Sequence, residues 1–144
     1  MTIDELTENF SFLDSWEDRY KYLIELGNAL NRLSEEEKID QWKVPGCQSQ
    51  VWIIPHYNNG TLHFTGDSDA IIVRGIIAIV LEIFKDKTAQ EILDIDVEKI
   101  FDKMGLKEHI TPNRRSCMLS MVDKIKYYAA QALGTEDGYS RVSS

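Results

Sequence analysis

The chain is poor in cysteine: Cys47 and Cys117 are the two it has in 144 residues, far apart and with no C-x-x-C pair. A metal site built from converging thiolates therefore lacks its usual ligands. The three histidines, His56, His63 and His109, share no ligand spacing. None of them stands beside a cysteine, so a Cys–His hydrolase would need the fold to bring one of them to Cys47. Gly46 and Gly66 stand alone, which excludes a glycine-rich phosphate loop or a dinucleotide fingerprint. Positive charge is also short, with 16 Lys and Arg against 24 Asp and Glu, a formal net charge of −8 and a pI near 4.8. Direct nucleic-acid binding depends on neutralising phosphates and is disfavoured on that ground. No apolar run reaches the ~18 residues of a membrane span. The longest, Ala70 to Phe84, is interrupted by Arg74 and Glu82. The segment Met1 to Glu5 has neither the basic start nor the apolar core of a signal peptide, so a cytoplasmic protein with two reduced thiols is expected.

What is present is average for a globular chain, 43% hydrophobic and 28% charged. One domain over residues 1–134 is expected, with a disordered tail over 135–144. A weak helix is expected around Ile3 to Phe12. Ser15 caps a second, whose apolar residues Tyr20, Leu23, Ile24, Gly27, Leu30 and Leu33 recur at helical spacing. Gln50 to His56 and Thr61 to Thr65 read as strands joined at Asn58-Asn59-Gly60, and Trp42 to Val44 as a short edge strand. Asp67 and Asp69 read as first-turn carboxylates of a central helix, Ala70 to Phe84, in which Gly75 permits close approach of another backbone. Thr88 to Glu91 is a capping box, Asp96 caps a helix that ends before Gly105, and Thr111-Pro112 opens a last helix that Gly134 stops. Helices around one hairpin predict an α+β fold, a small antiparallel sheet packed by several helices.

Chemistry concentrates at Cys47. Pro45 and Gly46 bend the chain just before it, and Gln48-Ser49-Gln50 follow it with polar side chains, a pattern that displays a thiol at a loop tip. A reacting cysteine must be a thiolate, and Arg114 at the start of the last helix is a candidate cation to stabilise it through the fold. With no catalytic partner adjacent in sequence, the residues suit a carrier better than an enzyme.

The run Val44-Pro45-Gly46-Cys47-Gln48-Ser49-Gln50-Val51-Trp52 resembles the signature of the SufE/CsdE family of sulfur acceptors. Trp16 to Tyr20 with Leu23 to Gly27, Gly66 to Ala70 with Ile72 to Gly75, and His109 to Arg114 resemble family segments in the same order. The resemblance implies a fold similar to IscU-type scaffold proteins. It implies that Cys47 accepts a sulfane sulfur from a SufS/CsdA-like cysteine desulfurase, stimulates that enzyme and passes the sulfur to a SufBCD-like iron–sulfur scaffold complex. The protein would then be an accessory carrier with no cofactor of its own, since pyridoxal phosphate belongs to the desulfurase. Arg114 matches a family arginine that faces the desulfurase, and Gln48, Asp67 and Asp69 are further candidate partner contacts. Sulfur relay towards tRNA modification, as in the CsdE branch, and an iron–sulfur scaffold are the alternatives, and a homodimer is compatible with either. One departure stands out. Where the family usually has a polar residue and then glycine after the arginine pair, this chain has Ser116 and Cys117. An inert helix cysteine is the favoured reading of Cys117. A disulfide with Cys47 under oxidation is the other, provided the two Cα atoms lie within about 7 Å.

Overall fold

A computed structural model describes residues 2–58, 60–106 and 110–136, with Asn58 and residues 134–136 as backbone alone. His109 and most of the expected tail lie outside the described residues. Helix α1 (Ile3–Ser11) begins with a capping box between Thr2 and Glu5. Helix α2 (Trp16–Asn28) begins at Ser15, whose Oγ accepts from the Asp18 N–H at 3.1 Å. The apolar spacing carries α2 on to Leu33, but the helix ends at Asn28 because Leu33 is held elsewhere. Its N–H donates to Asp67 Oδ2 at 3.2 Å, and its side chain packs with Trp52 and Ile54.

Strands β1 (Val51–Asn58) and β2 (Thr61–Ser68) pair antiparallel, from Val51 opposite Ser68 to Asn58 opposite Thr61. The pairing closes with Asn58 opposite Thr61; residue 59 of the expected turn lies outside the described residues. A two-residue strand β3 (Lys87–Thr88) pairs with the other edge of β2, giving the order β1-β2-β3. It escapes a sequence reading because Thr88 also caps α4 (Ala89–Asp94) in the expected box with Glu91. The edge strand expected at Trp42 to Val44 is not formed. Asp40–Trp42 coils into one 3₁₀ turn, leaving a single bridge between Lys43 and Trp52. β1 is thus an edge strand, and Pro55 is tolerated there.

Helix α3 (Ile71–Phe84) carries no acid in its first turn, and Ala70 caps it without a side-chain hydrogen bond. This corrects the expected start: β2 continues through Asp67 and Ser68, and Asp69 lies in the connection. Helix α5 (Val97–Lys103) starts at Asp96, and α6 (Pro112–Glu136) starts where Thr111-Pro112 places it. Gly134 does not stop α6. A helix glycine costs only about 1 kcal/mol, and the turn before it is held by the buried Ala132.

The fold is α+β. Val51, Ile53, Leu62 and Phe64 on the inner sheet face meet α3 and the apolar stripe of α6, including Met118, Met121, Ile125 and Ala129. Tyr128 Oη donates to the Ile53 carbonyl at 3.3 Å, and burial, with Tyr57 and Tyr127 nearby, pushes its hydroxyl up to about 12, so it stays a donor. Glycines bring α2 and α3 together. A Cβ at Gly27 would lie 2.7 Å from the Gly75 nitrogen, and a Cβ at Gly75 would collide with the Leu23 carbonyl oxygen. Gly75→Ala must therefore push two backbones apart. It is expected to lower the unfolding free energy by about 1–3 kcal/mol, the usual scale for overpacking, read from the midpoint of urea unfolding. An unchanged midpoint would show that this contact does not seat α2.

Candidate thiol site on the loop before β1

The loop that carries Cys47 is tied at both feet. On the near side the Val44 N–H donates to the Val51 carbonyl at 2.8 Å, and Val44 is buried. On the far side the Gln50 N–H donates to Asp69 Oδ1 at 3.0 Å, and the Asp69 N–H donates back to the Gln50 carbonyl at 3.3 Å. Asp69 is exposed and acts here as the far anchor, which explains a carboxylate at that position without helix capping. Between the feet, Gly46 has φ +83°, a left-handed conformation that costs a side-chain-bearing residue. A Cβ on Gly46 would also lie 2.9 Å from Ser120 Oγ of α6. The backbone angle requires glycine, and the nearness of Ser120 shows the loop tip lying against α6.

One turn earlier on that face of α6 is Cys117, and its sulfur is bonded to Cys47 with the Cα atoms 4.7 Å apart. This corrects two expectations. The cysteines are not two reduced thiols, and Cys117 is not an inert helix residue. Its spacing of three from Ser120, opposite the adjacent residues Gly46 and Cys47, is the signal in the sequence, but it becomes legible only when the loop is known to dock there. Cys47 itself is half-buried and Cys117 is 3% exposed.

Gln48 and Arg114 come to the same place. With Tyr20, Ser49, Ile71 and Cys117 they line a cavity of about 280 Å³ beside the disulfide. The Arg114 guanidinium lies 5.8 Å from the Tyr20 ring centroid, an arrangement that fixes the cation at the cavity wall. Tyr20 reads in the sequence as part of a core stripe, so its role as a platform for Arg114 is missed there. Neighbouring Arg115 is occupied by an ion pair with Glu98.

Asp67 is not brought to this cavity. It lies on the outer sheet face opposite Trp52, fully buried, and is met by Arg32 Nε at 2.9 Å and by the N–H groups of Leu33 and Ser68. Lys38 Nζ stands 3.8 Å from it and over the Trp52 ring. Burial alone would raise its pKa, but the Arg32 hydrogen bond, the two backbone donors and the charge of Arg32 together hold it below the usual aspartate value. His56 and His63 stack on each other across the hairpin, ring centroids 4.8 Å apart, and His56 Nε2 is 3.0 Å from Thr65 Oγ1. Burial, then the neighbouring His63, lowers the His56 pKa despite Glu37. Cys47 finds its partner in Cys117 instead of in this pair.

These features describe a protein built to hold one cysteine on a tethered loop. Over residues 4–129 the chain matches the SufE family, described as an Fe-S metabolism associated domain, and it belongs to that family. It is 46% identical over 129 residues to uncharacterized SufE-like proteins of Rhizobium etli and Rhizobium meliloti, with 87% of this chain covered in each case and 87% and 92% of theirs. Its fold is similar to the solution structure of a hypothetical protein from Thermus thermophilus, with a TM-score of 0.73 at 17% identity over 92% of this chain and 98% of that one. Among the described residues no helix is long and apolar enough to cross a membrane.

Asp67 has a folded pKa below its unfolded one, so its stabilising effect is complete above the ordinary carboxylate range and is lost as pH falls through the lowered value. Asp67→Asn is expected to cost about 1–3 kcal/mol at neutral pH, since it leaves Arg32 and buried donors short of an acceptor. It should also flatten the acid limb of a stability-against-pH curve. An acid limb identical to wild type would assign the pH dependence to other groups.

Proposed function

We propose that the protein is a sulfur acceptor for a cysteine desulfurase, with Cys47 as the accepting residue. The observation that carries this reading is the tethered loop that holds Cys47 against Cys117, which shares a cavity wall with Gln48 and Arg114, in a chain of the SufE family. In the reduced protein the Cys47 thiolate attacks the outer sulfur of the desulfurase persulfide. A sulfur–sulfur bond forms to Cys47, the donor cysteine leaves as a thiolate, and Cys47 becomes a persulfide. Arg114 favours the reaction by stabilising the attacking thiolate. Gln48, exposed next to Cys47, and Arg114 are the contacts offered to the desulfurase. Asp69 serves indirectly by holding the loop, and Asp67, being buried, supports the sheet behind it.

Clearing the donor persulfide frees the desulfurase for another turnover, which accounts for stimulation without any catalytic group or cofactor in this chain. The pyridoxal phosphate stays with the desulfurase. The sulfur then goes to an iron–sulfur scaffold complex, in keeping with the metabolism that the family description names.

After reduction and incubation with a desulfurase and cysteine, intact-protein mass spectrometry should show a gain of about 32 Da that dithiothreitol removes and Cys47→Ser lacks. Arg114→Glu should slow loading roughly tenfold without altering the circular dichroism spectrum, because it inverts the charge at the cavity wall. An adduct of the same size on Cys47→Ser would remove Cys47 from the acceptor role.

A further inference from the structure

We propose that Cys117 is a resolving cysteine that cleaves the Cys47 persulfide and releases its outer sulfur as hydrosulfide. The desulfurase as source of that persulfide rests on the reading above, whereas the cleavage step rests on the geometry of α6. The Cys47 sulfur is the inner sulfur of the persulfide, and it is the atom to which Cys117 is joined. Gly46 lying on Ser120, and hydrogen bonds at both feet of the loop, bring that sulfur to Cys117. At 3% exposure Cys117 is shielded from disulfides and other electrophiles in bulk solution, so the persulfide on the docked loop is its accessible target. Arg114, three residues earlier on α6, shares the cavity wall with Cys117 and provides positive charge for both the attacking thiolate and the departing anion.

The step balances without an outside oxidant. The Cys117 thiolate attacks the Cys47 sulfur, a bond forms between the two cysteine sulfurs, and the bond from Cys47 to the terminal sulfur breaks. The terminal sulfur of the persulfide anion departs with the bonding pair and takes up a proton from water to become HS⁻. It gains two electrons, and the two cysteines lose two in becoming a disulfide. Each cycle ends in the bonded pair seen in the structure, which cannot accept another sulfur. A dithiol reductant then restores the two thiols.

The test uses the full chain, reduced, freed of reductant and kept anaerobic, then loaded with inorganic polysulfide and desalted. Wild type is compared with Cys117→Ser and Cys117→Ala, the second guarding against misfolding from a buried hydroxyl. Because the two sulfurs are held together in one molecule, the wild-type persulfide should disappear at least about tenfold faster than in either variant. Wild type should end about 2 Da below the dithiol form with one equivalent of sulfide in solution, while the variants keep an adduct of about 32 Da. Equal persistence of the adduct in all three proteins, with no sulfide released, would overturn the proposal. Repeating the loading with desulfurase and cysteine separates the two readings. Sulfide release from polysulfide but no adduct from the desulfurase would sink the acceptor reading and uphold the resolving one.

Discussion

Burial of α3 is the constraint on which the other parts depend. Its sequence, Ile71 to Phe84, is apolar on nearly every face, and Ile76, Ile77, Ile79 and Val80 are essentially inaccessible. Each such side chain stabilises the fold by ~1.5–3 kcal/mol when removed from water, so the chain must supply a neighbour for every face. α2 covers one side by bringing Gly27 against Gly75. The sheet covers another, where Gly66 leaves room for the Ile77 side chain. α6 packs against the remaining surface through its methionine and alanine stripe, and that placement brings Cys117 and Ser120 under the loop leading into β1.

The outer face of the sheet is stabilised differently. There the small cluster of Leu33, Trp52 and Ile54 is closed by polar interactions converging on Asp67. A buried carboxylate is costly unless its acceptor sites are filled, and three donors fill them here. The same interaction explains why the chain leaves α2 early: the Leu33 N–H is needed as one of those donors. Trp52, opposite Asp67 in the register, is held between this network and the bridge to Lys43, so the base of the cysteine loop is braced from the outer face and from the edge of the sheet.

The sequence makes the hairpin, the capping boxes, the Pro112 start and the α6 stripe legible because each is a local pattern with a local cause. Cys47 is legible through its loop chemistry and through the family resemblance together. What is hidden depends on contacts between distant segments. Asp67 and Asp69 look like helix-capping acids, and nothing local reveals that one is buried against Arg32 while the other ties down Gln50. Tyr20 looks like a core residue because its place under Arg114 is set by α2 meeting α6. Cys117 is legible in part: its departure from the family pattern raises a bond to Cys47 as the less favoured reading, and only the docking of the loop on α6, with the Cα atoms 4.7 Å apart, decides for it.

Residue 117 is also where this chain departs from the pattern that the family resemblance implies, and under the proposed function the departure has a chemical meaning. With glycine there, a loop docked on α6 would shelter a persulfide against an unreactive surface, and sulfur would leave only when the loop met another protein. With cysteine there, docking places a second nucleophile against the inner sulfur. On that proposal, the packing that would shield a persulfide from solvent also sets the geometry for its cleavage. Whether sulfur is handed on or released therefore depends on whether a partner draws the loop away from α6 before the buried thiolate attacks. Because the second outcome consumes two thiols, the capacity of such a protein to carry sulfur depends on the supply of dithiol reductant, a dependence that an acceptor with a single cysteine lacks.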